Sequence, residues 1–366
     1  MVAAQPIPQA DLDAILSQTR GLWEEMRGQK IFITGGTGFF GAWLLESFAH
    51  INRSLRVEAE VVVLTRNADR FRQKFPHLAF DRSITCIEGD VRNFAFPEGD
   101  FRYVIHAATE ASAKQAAEAP IEMLTTILAG TERTLEFAAT HGTRRFLLTS
   151  SGAVYGRQPS EIVHLAESYL GAPNPVEAAS VYSEGKRTSE LMCALYAKTH
   201  GLECAIARCW AFCGAHLPLD THFAIGNFIR DAVAGGPLRI GGDGTPTRSY
   251  LYAGDLASWL WTMLFRAPSM VPYNVGSAES VSILELAESV REALDPQVKI
   301  EVAKAPDAGA TISRYVPSVE RIGDDLGLHQ TVSLVETIRK TAAWYGWKSI
   351  GREAVDEEDQ RHQSRL

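Results

Sequence analysis

The chain has 366 residues, 46% of them hydrophobic, enough for a sizeable core in one large or two coupled domains. Its formal net charge is −8 and no basic run stands out, which argues against nucleic acid as a partner. No apolar stretch reaches the roughly 18–20 residues that span a bilayer, and the N-terminus MVAAQPIPQADLD lacks the basic and apolar regions of a signal peptide, so a cytoplasmic protein off the membrane is expected. The five cysteines (Cys86, Cys193, Cys204, Cys209, Cys213) are odd in number and form no C-x-x-C pair. They read as small apolar residues of a reducing compartment rather than as a metal site.

Apolar residues at Leu12, Ile15, Leu16, Leu22, Trp23 and Met26 predict an amphipathic helix over 11–27, packed on a sheet edge or on a second subunit. The segment KIFITGGTGFFGAW, residues 30–43, follows. Ile31, Phe32 and Ile33 read as a buried parallel strand. The strand runs into a glycine turn that opens the helical pattern AWLLESFAH. Strand, glycine turn and helix together form a dinucleotide-binding fingerprint. Gly35 permits the tight turn, Gly38 lets the backbone approach a pyrophosphate, and Gly41 allows close helix–strand packing. Thr37, Phe39 and Phe40 complete the turn, whose free N–H groups face the anion.

A second strand, EAEVVVLTRN, has its apolar core at Val61 to Leu64. An enzyme using NAD usually ends this strand with Asp or Glu, which accepts the ribose hydroxyls. Thr65, Arg66 and Asn67 stand there instead, and an arginine can clamp a 2′-phosphate, so NADP is favoured over NAD. Asp90, followed by Val91, ends a third strand and is placed to hold the adenine amine. A fourth strand ends at His106, read as structural, and the small Ala107 and Ala108 let the chain pass under the nicotinamide ribose. Next come a helix over 123–140, a fifth strand in RRFLLTSSGAVYG ending in a serine cluster, a helix starting near Tyr182 and stopping at Gly201, and a sixth strand over 203–209.

From Ala211 to about Asp255 the pattern loosens into glycine, proline and polar residues, and helices over 256–265 and 283–294 and a strand in VKIEVA follow. The fold class is α/β: a Rossmann doubly wound parallel sheet with a smaller C-terminal α/β substrate lobe. The expected division is an N-terminal helical extension over 1–28, a cofactor domain over 29–210 that borrows segments of the later chain, a substrate lobe over 211–346, and a charged, disordered tail over 347–366.

Ser151, Tyr182 and Lys186 suit hydride exchange between a carbinol and a nicotinamide. An alcohol releases hydride from carbon only if its O–H proton also leaves, so a base must lie within hydrogen-bond reach. Tyrosine, with an ordinary pKa of roughly 10, is a poor base at neutral pH. Tyr182 and Lys186 lie four apart on one helix face. A neighbouring ammonium and a positive nicotinamide ring both favour the phenolate. Ser151 donates a second hydrogen bond to the oxygen, and Lys186 also binds the nicotinamide ribose.

At this point the chain resembles the extended short-chain dehydrogenase/reductase family of nucleotide-sugar epimerases, dehydratases and reductases. The resemblance rests on GGTGFFG, Gly89–Asp90, HAA at 106–108, SSGAVYG at 150–156, YSEGK at 182–186, GGDGTPTRSYLYAGDLA at 241–257 and YNVGS at 273–277. It implies a nicotinamide cofactor, an NDP-sugar substrate in the C-terminal lobe, and a reaction beginning with oxidation at sugar C4. Arg248 matches the family arginine on the diphosphate, a role suited to a bidentate guanidinium. Asn227 matches a residue that contacts the diphosphate or the base. Dimerisation through the helices near 123–140 and 183–200 is the family expectation.

The departures narrow the choice. Family dehydratases carry Asp–Glu just after the serine or threonine, and sugar-acid decarboxylases keep a glutamate at the second of those positions; this chain has Gly152 and Ala153. A C4 epimerase or a 4-ketoreductase remains the best fit. A 4,6-dehydratase whose acid comes from elsewhere, for example Glu110, and a nicotinamide-binding regulatory protein are the alternatives. Ile127 and Ala211 stand where the family usually has Asn, so the relay water and the sugar contacts are arranged differently. Glu110, Ser112 and His222 are further candidates for sugar contacts.

Overall fold

Six strands, β1 (Lys30–Thr34), β2 (Glu60–Thr65), β3 (Ile84–Glu88), β4 (Tyr103–His106), β5 (Arg145–Ser151) and β6 (Glu203–Cys209), join the strand Pro272–Val275 in one sheet. The spatial order is Pro272–Val275, β6, β5, β4, β1, β2, β3, and every pairing is parallel. A sheet covered on both faces needs apolar residues on both sides of each strand. Ile31, Phe32 and Ile33 meet that need, all three fully buried. The strand order reverses between β1 and β4, which opens a crevice at their carboxyl ends, the usual ligand position in such sheets. The structure is a computed structural model that describes residues 4–108, 113–221, 223–307, 309 and 311–348. Glu110, Ser112, His222 and most of the expected charged tail therefore lie outside the described residues.

The helices Pro120–Thr140 and Val181–His200 pack on each other. Their apolar residues join one face of the sheet in a core that includes Phe32, Val104, Leu135, Phe137 and Cys193. The opposite face is covered by α1 (Gln9–Thr19), α2 (Phe39–Leu55) and the helix Ala253–Arg266.

The N-terminal segment departs from expectation in two ways. The helix predicted over 11–27 is α1 followed by a tighter 3-10 turn over Arg20–Met26. It also lies on α2 and on the helix Ala253–Arg266 rather than at a sheet edge. Trp23 is the reason, because its ring packs edge-on against Trp261 at 4.9 Å and beside Phe48 at 6.4 Å, fully inside the core. Polar contacts fix the same docking. The Ile7 N–H donates to the buried Glu46 carboxylate at 2.6 Å, and Asp11 accepts from Tyr252 and Lys340, both at 2.8 Å.

The later chain builds the lobe. The helices Ala224–Val233, Ile283–Leu294 and Leu334–Trp344 enclose a second core with Ile225, Phe228, Leu286, Val290 and Ile338. Ser282 caps the second of these helices, with Glu285 reaching back in a capping box. The short strands Ser280–Ser282, Thr247–Ser249 and Arg314–Tyr315 form a small sheet beside it.

Candidate active site

The glycine turn separates into residues that serve packing and one that faces outward. Gly35 has φ +74°, and a Cβ there would stand 2.4 Å from the Ala107 backbone, at the end of β4. A Cβ on Gly36 would meet Val63 at 2.6 Å, and one on Gly41 would meet the Gly36 backbone at 2.3 Å. These three glycines let the turn, β4 and α2 close on one another. Gly38 differs: it is exposed, and its absent Cβ would meet nothing nearer than the Gly35 carbonyl at 3.4 Å. It is also the N-cap of the 17-residue α2 and offers no capping side chain. The unsatisfied N–H groups of that helix start, beside Thr37, Phe39 and Phe40, are suited to an anion such as a pyrophosphate. This cradle fits a dinucleotide.

At the rim of the cradle, Arg66 follows β2 and is exposed. Its charge and that of Arg92 both act on Asp90, whose carboxyl is held below the ordinary carboxylate range chiefly by hydrogen bonds from Arg92. The Arg92 guanidinium forks across both oxygens, Nε to Oδ1 at 2.9 Å and Nη2 to Oδ2 at 2.7 Å. The sequence reading gave Asp90 to adenine and did not foresee this pairing. Val91 fills the groove over Gly130, where a Cβ would stand 2.9 Å from it. His106 is fully buried between Thr34 (Nδ1 to Oγ1 2.8 Å) and Thr131 (Nε2 to Oγ1 3.2 Å). Burial drives its pKa down to about 3, with Lys186 adding to the effect, so it is a neutral structural residue.

Ser151 ends β5, Tyr182 is the second residue of the helix Val181–His200, and Lys186 lies one turn further along. The structure brings the three together. The Ser151 side chain lies beside the Tyr182 phenol, and its Oγ accepts from the Ala153 N–H at 3.1 Å. Lys186 is buried; its Nζ donates to the Thr149 carbonyl at 2.8 Å and stands 6.0 Å from the Tyr182 ring centre.

The electrostatics of the phenol are set first by burial. Burial pushes the Tyr182 phenol up to about 12, with the neighbouring Ser151 side chain opposing the rise. Burial lowers the Lys186 pKa to about 8, and its Nζ, 6.0 Å from the Tyr182 ring centre, donates to the Thr149 carbonyl. A tyrosine in this setting becomes a base only when further positive charge arrives beside it.

The two expected asparagine sites are apolar in fact as well as in sequence. Ile127 is buried, with Cδ1 3.0 Å from where a Gly185 Cβ would be. Ala211 is buried in the lobe core. Arg248 lies in the strand Thr247–Ser249 and donates to the carbonyls of Thr247 at 2.8 Å and Ser313 at 3.2 Å. Asn227 is on the helix Ala224–Val233 and accepts from Arg230 at 3.2 Å.

Sequence reading missed the residues that surround Gly152. A Cβ there would stand 2.6 Å from the Trp210 ring and 2.8 Å from the Tyr315 hydroxyl. The indole of Trp210 packs on Tyr315 at 4.3 Å and donates to Asn274 at 3.1 Å. The one available signal was Gly152 itself, since a glycine after a strand-end serine makes room for something. Among the described residues no group of His, Cys, Asp or Glu is arranged to hold a metal, and no helix is long and apolar enough to cross a membrane.

A doubly wound sheet, a glycine turn open to a dinucleotide, and a serine, tyrosine and lysine gathered at one strand end define a nicotinamide-dependent enzyme class. The NAD dependent epimerase/dehydratase family matches residues 31–276, and the chain belongs to that family. It is 32% identical over 309 residues to UDP-glucuronic acid decarboxylase 6 of Arabidopsis thaliana, covering 84% of this chain and 86% of that one. It is 30% identical to UDP-glucuronic acid decarboxylase 1 of Danio rerio, covering 87% and 72%. Among solved structures it is similar in fold to the UDP-glucose 4-epimerase of Thermotoga maritima, crystallised with UDP-glucose (TM-score 0.72, 20% identity, 87% and 98% covered). The dTDP-glucose 4,6-dehydratase of Streptomyces venezuelae, crystallised with NAD, is similar too (TM-score 0.70, 23% identity, 87% and 97% covered).

Proposed function

We propose that this protein is an NAD(P)-dependent nucleotide-sugar enzyme that works by oxidation and reduction at sugar C4, as an epimerase or a 4-ketoreductase. The observation that carries this reading is the convergence of Ser151, Tyr182 and Lys186 in a site with no carboxyl group at 152 or 153. Trp210 and Tyr315 fill the space over Gly152, so the position of a dehydratase aspartate is closed to a side chain.

A bound nicotinamide supplies the hydride acceptor or donor at the sugar carbon. Tyr182 takes the proton from the sugar hydroxyl during oxidation and returns it during reduction. Ser151 holds the same oxygen. Lys186, anchored on Thr149, orients the cofactor ribose. Arg248 and Asn227 bind the diphosphate end of the substrate. Gly35, Thr37, Gly38, Phe39, Phe40, Gly41, Asp90, Val91, Ala107 and Ala108 form the cofactor cradle. Arg66 at the rim favours NADP over NAD.

The kinship to UDP-glucuronic acid decarboxylases supports a second reading, in which C4 oxidation is followed by loss of a carboxylate or of water. Ala153, where the resemblance places a decarboxylase glutamate, weighs against it. One experiment decides between them. The purified protein is incubated with a panel of NDP-hexoses, NDP-4-keto sugars and NDP-hexuronic acids, with and without reduced cofactor. A C4-inverted product without net cofactor change, or reduction of a 4-keto sugar, supports the first reading. Release of carbon dioxide or a 4-keto-6-deoxy product supports the second, and cofactor binding with no turnover of any member points to a regulatory protein.

Self-association belongs to the proposal as well. The helices Pro120–Thr140 and Val181–His200 expose Ile121 (82%), Leu191 (59%) and Leu195 (53%), apolar surface that a second copy would cover. The five free thiols suit a cytoplasmic setting.

A further inference from the structure

Glu190 has no part in the scheme above, yet it lies on the same face of the helix Val181–His200 as Tyr182 and Lys186, since the three residues are spaced four apart. The last two of them reach the end of β5. Lys186 Nζ donates to the Thr149 carbonyl at 2.8 Å, and Glu190 Oε1 accepts from the Ser150 hydroxyl at 2.6 Å. The next strand holds the same carboxylate. Arg208 forks across it, Nε to Oε1 at 3.0 Å and Nη2 to Oε2 at 2.7 Å. Ser150 and Arg208 are register partners on β5 and β6, one residue before Ser151 and Cys209. Arg208 is fixed on its other side as well. Its guanidinium stands 4.7 Å from the Tyr155 ring centre, and the Tyr155 hydroxyl donates to Asn274 at 2.9 Å. The Arg208 and Glu190 side chains are only 15% and 14% exposed, so salt screens the pair little.

We propose that Glu190 is a positioning residue: by joining its helix to Ser150 on β5 and Arg208 on β6, it sets where Tyr182 stands relative to Ser151. A bond to one strand would leave the helix able to roll over the sheet. Three charge-assisted bonds to two strands, with Lys186 held on Thr149 one turn away, fix both the roll and the slide. Proton transfer is sensitive to such a fixture, because a misplacement of about 1 Å can cost ~100-fold in rate. A buried ion pair is by itself weak evidence for stability. Its place is the informative feature: on the strand side it ends one residue before the serine, and on the helix side it shares the face of the tyrosine and the lysine. The effect on turnover rests on Tyr182 being the base; the effect on the position of Tyr182 does not.

The first arm of the test needs no substrate. The protein is labelled at the tyrosine ring carbon bearing the hydroxyl, and the Tyr182 resonance is identified in NMR spectra by its loss in Tyr182→Phe. Tyr182 lies about 12 Å along the helix axis from Glu190, so a resonance that moves reports a shifted helix end rather than a lost contact. Glu190→Gln and Ser150→Ala, each checked for fold by circular dichroism, should both move it. Should Glu190→Gln fail to fold with Arg208 left without its carboxylate, Ser150→Ala decides, since it keeps the ion pair and alters no charge. The second arm uses the NDP-sugar that responds in the panel above. Glu190→Gln should lower kcat about 10–100-fold with KM little changed, and Ser150→Ala about 5-fold. In a Tyr182→Phe background neither should lower kcat further, whereas a residue that only stabilised the fold would lower it by the same factor in both backgrounds. An unmoved Tyr182 resonance in the folded variants overturns the proposal, as does an equal fall in kcat with and without the Tyr182 hydroxyl. If Tyr182→Phe alone leaves turnover unchanged, the assignment of Tyr182 as the base fails instead, and the resonance still decides the role of Glu190.

Discussion

The two halves of the site are built in different ways. The proposed cofactor half centres on one continuous stretch, β1, the glycine turn and α2, in which backbone shape dominates and to which the ends of β2, β3 and β4 add only a few residues. Gly35, Gly36 and Gly41 are fixed by contacts of 2.3–2.6 Å that a methyl group would make. The proposed sugar half draws on Ser151, Tyr182, Trp210, Arg248 and Tyr315, which come from five separate segments. A motif can announce the first kind of site, because the constraint is local. The second depends on which side chains the lobe brings over the end of β5, and no spacing encodes that.

Substitutions can break this contrast in order of expected effect. Tyr182→Phe should lower turnover of the responsive NDP-sugar by roughly 10²–10⁴-fold, the usual worth of a positioned acid–base group, while cofactor affinity by fluorescence titration stays nearly constant. A comparable loss of cofactor affinity would place Tyr182 in the cradle rather than at the sugar. Gly38→Val should abolish cofactor binding yet leave the melting temperature close to that of the parent protein, since its nearest neighbour is 3.4 Å away. Gly35→Ala should do the reverse in origin. It costs about 2–4 kcal/mol of stability, from overpacking and a positive φ, and loses binding only as the turn deforms. Equal melting temperatures for the two variants would remove the division of the turn into packing and ligand glycines.

Smaller effects sharpen the same contrast. Arg248→Ala should raise the KM for the nucleotide sugar about 10–100-fold with kcat little changed, as expected for loss of a charged hydrogen-bonding group on a diphosphate. A fall in kcat alone would move Arg248 from binding to chemistry. Arg66→Ala should weaken NADPH about tenfold and NADH hardly at all, checked by titrating both; equal losses would dissolve the argument for NADP.

The sheet was legible in the sequence because its strands are short apolar runs ended by glycine or polar turns, and β1 to β6 lie close to where the pattern puts them, β3 ending at Glu88 rather than at Asp90. The N-terminal helix was legible as amphipathic but not in its break near Gly21 or its docking, which Trp23 decides by reaching Trp261. The meeting of Ser151, Tyr182 and Lys186 was foreseen from the strand end and the helix spacing. Their electrostatics were not. The spacing placed a cation beside the phenol, whereas the burial that raises the Tyr182 pKa comes from the packed fold and leaves no mark in the spacing. Gly152 marked a vacated position, but its fillers, Trp210 and Tyr315, lie 58 and 163 residues further on (210 − 152 and 315 − 152).

The most direct measurement follows a deuterium label placed at C4 of the NDP-sugars in the panel. In the oxidised, cofactor-loaded protein the label should move from the sugar to the nicotinamide during a single turnover, and Tyr182→Phe should suppress the transfer by orders of magnitude. A label that stays on the sugar throughout, or that moves as fast without the Tyr182 hydroxyl, would contradict the assignment of proton transfer at C4 to this tyrosine.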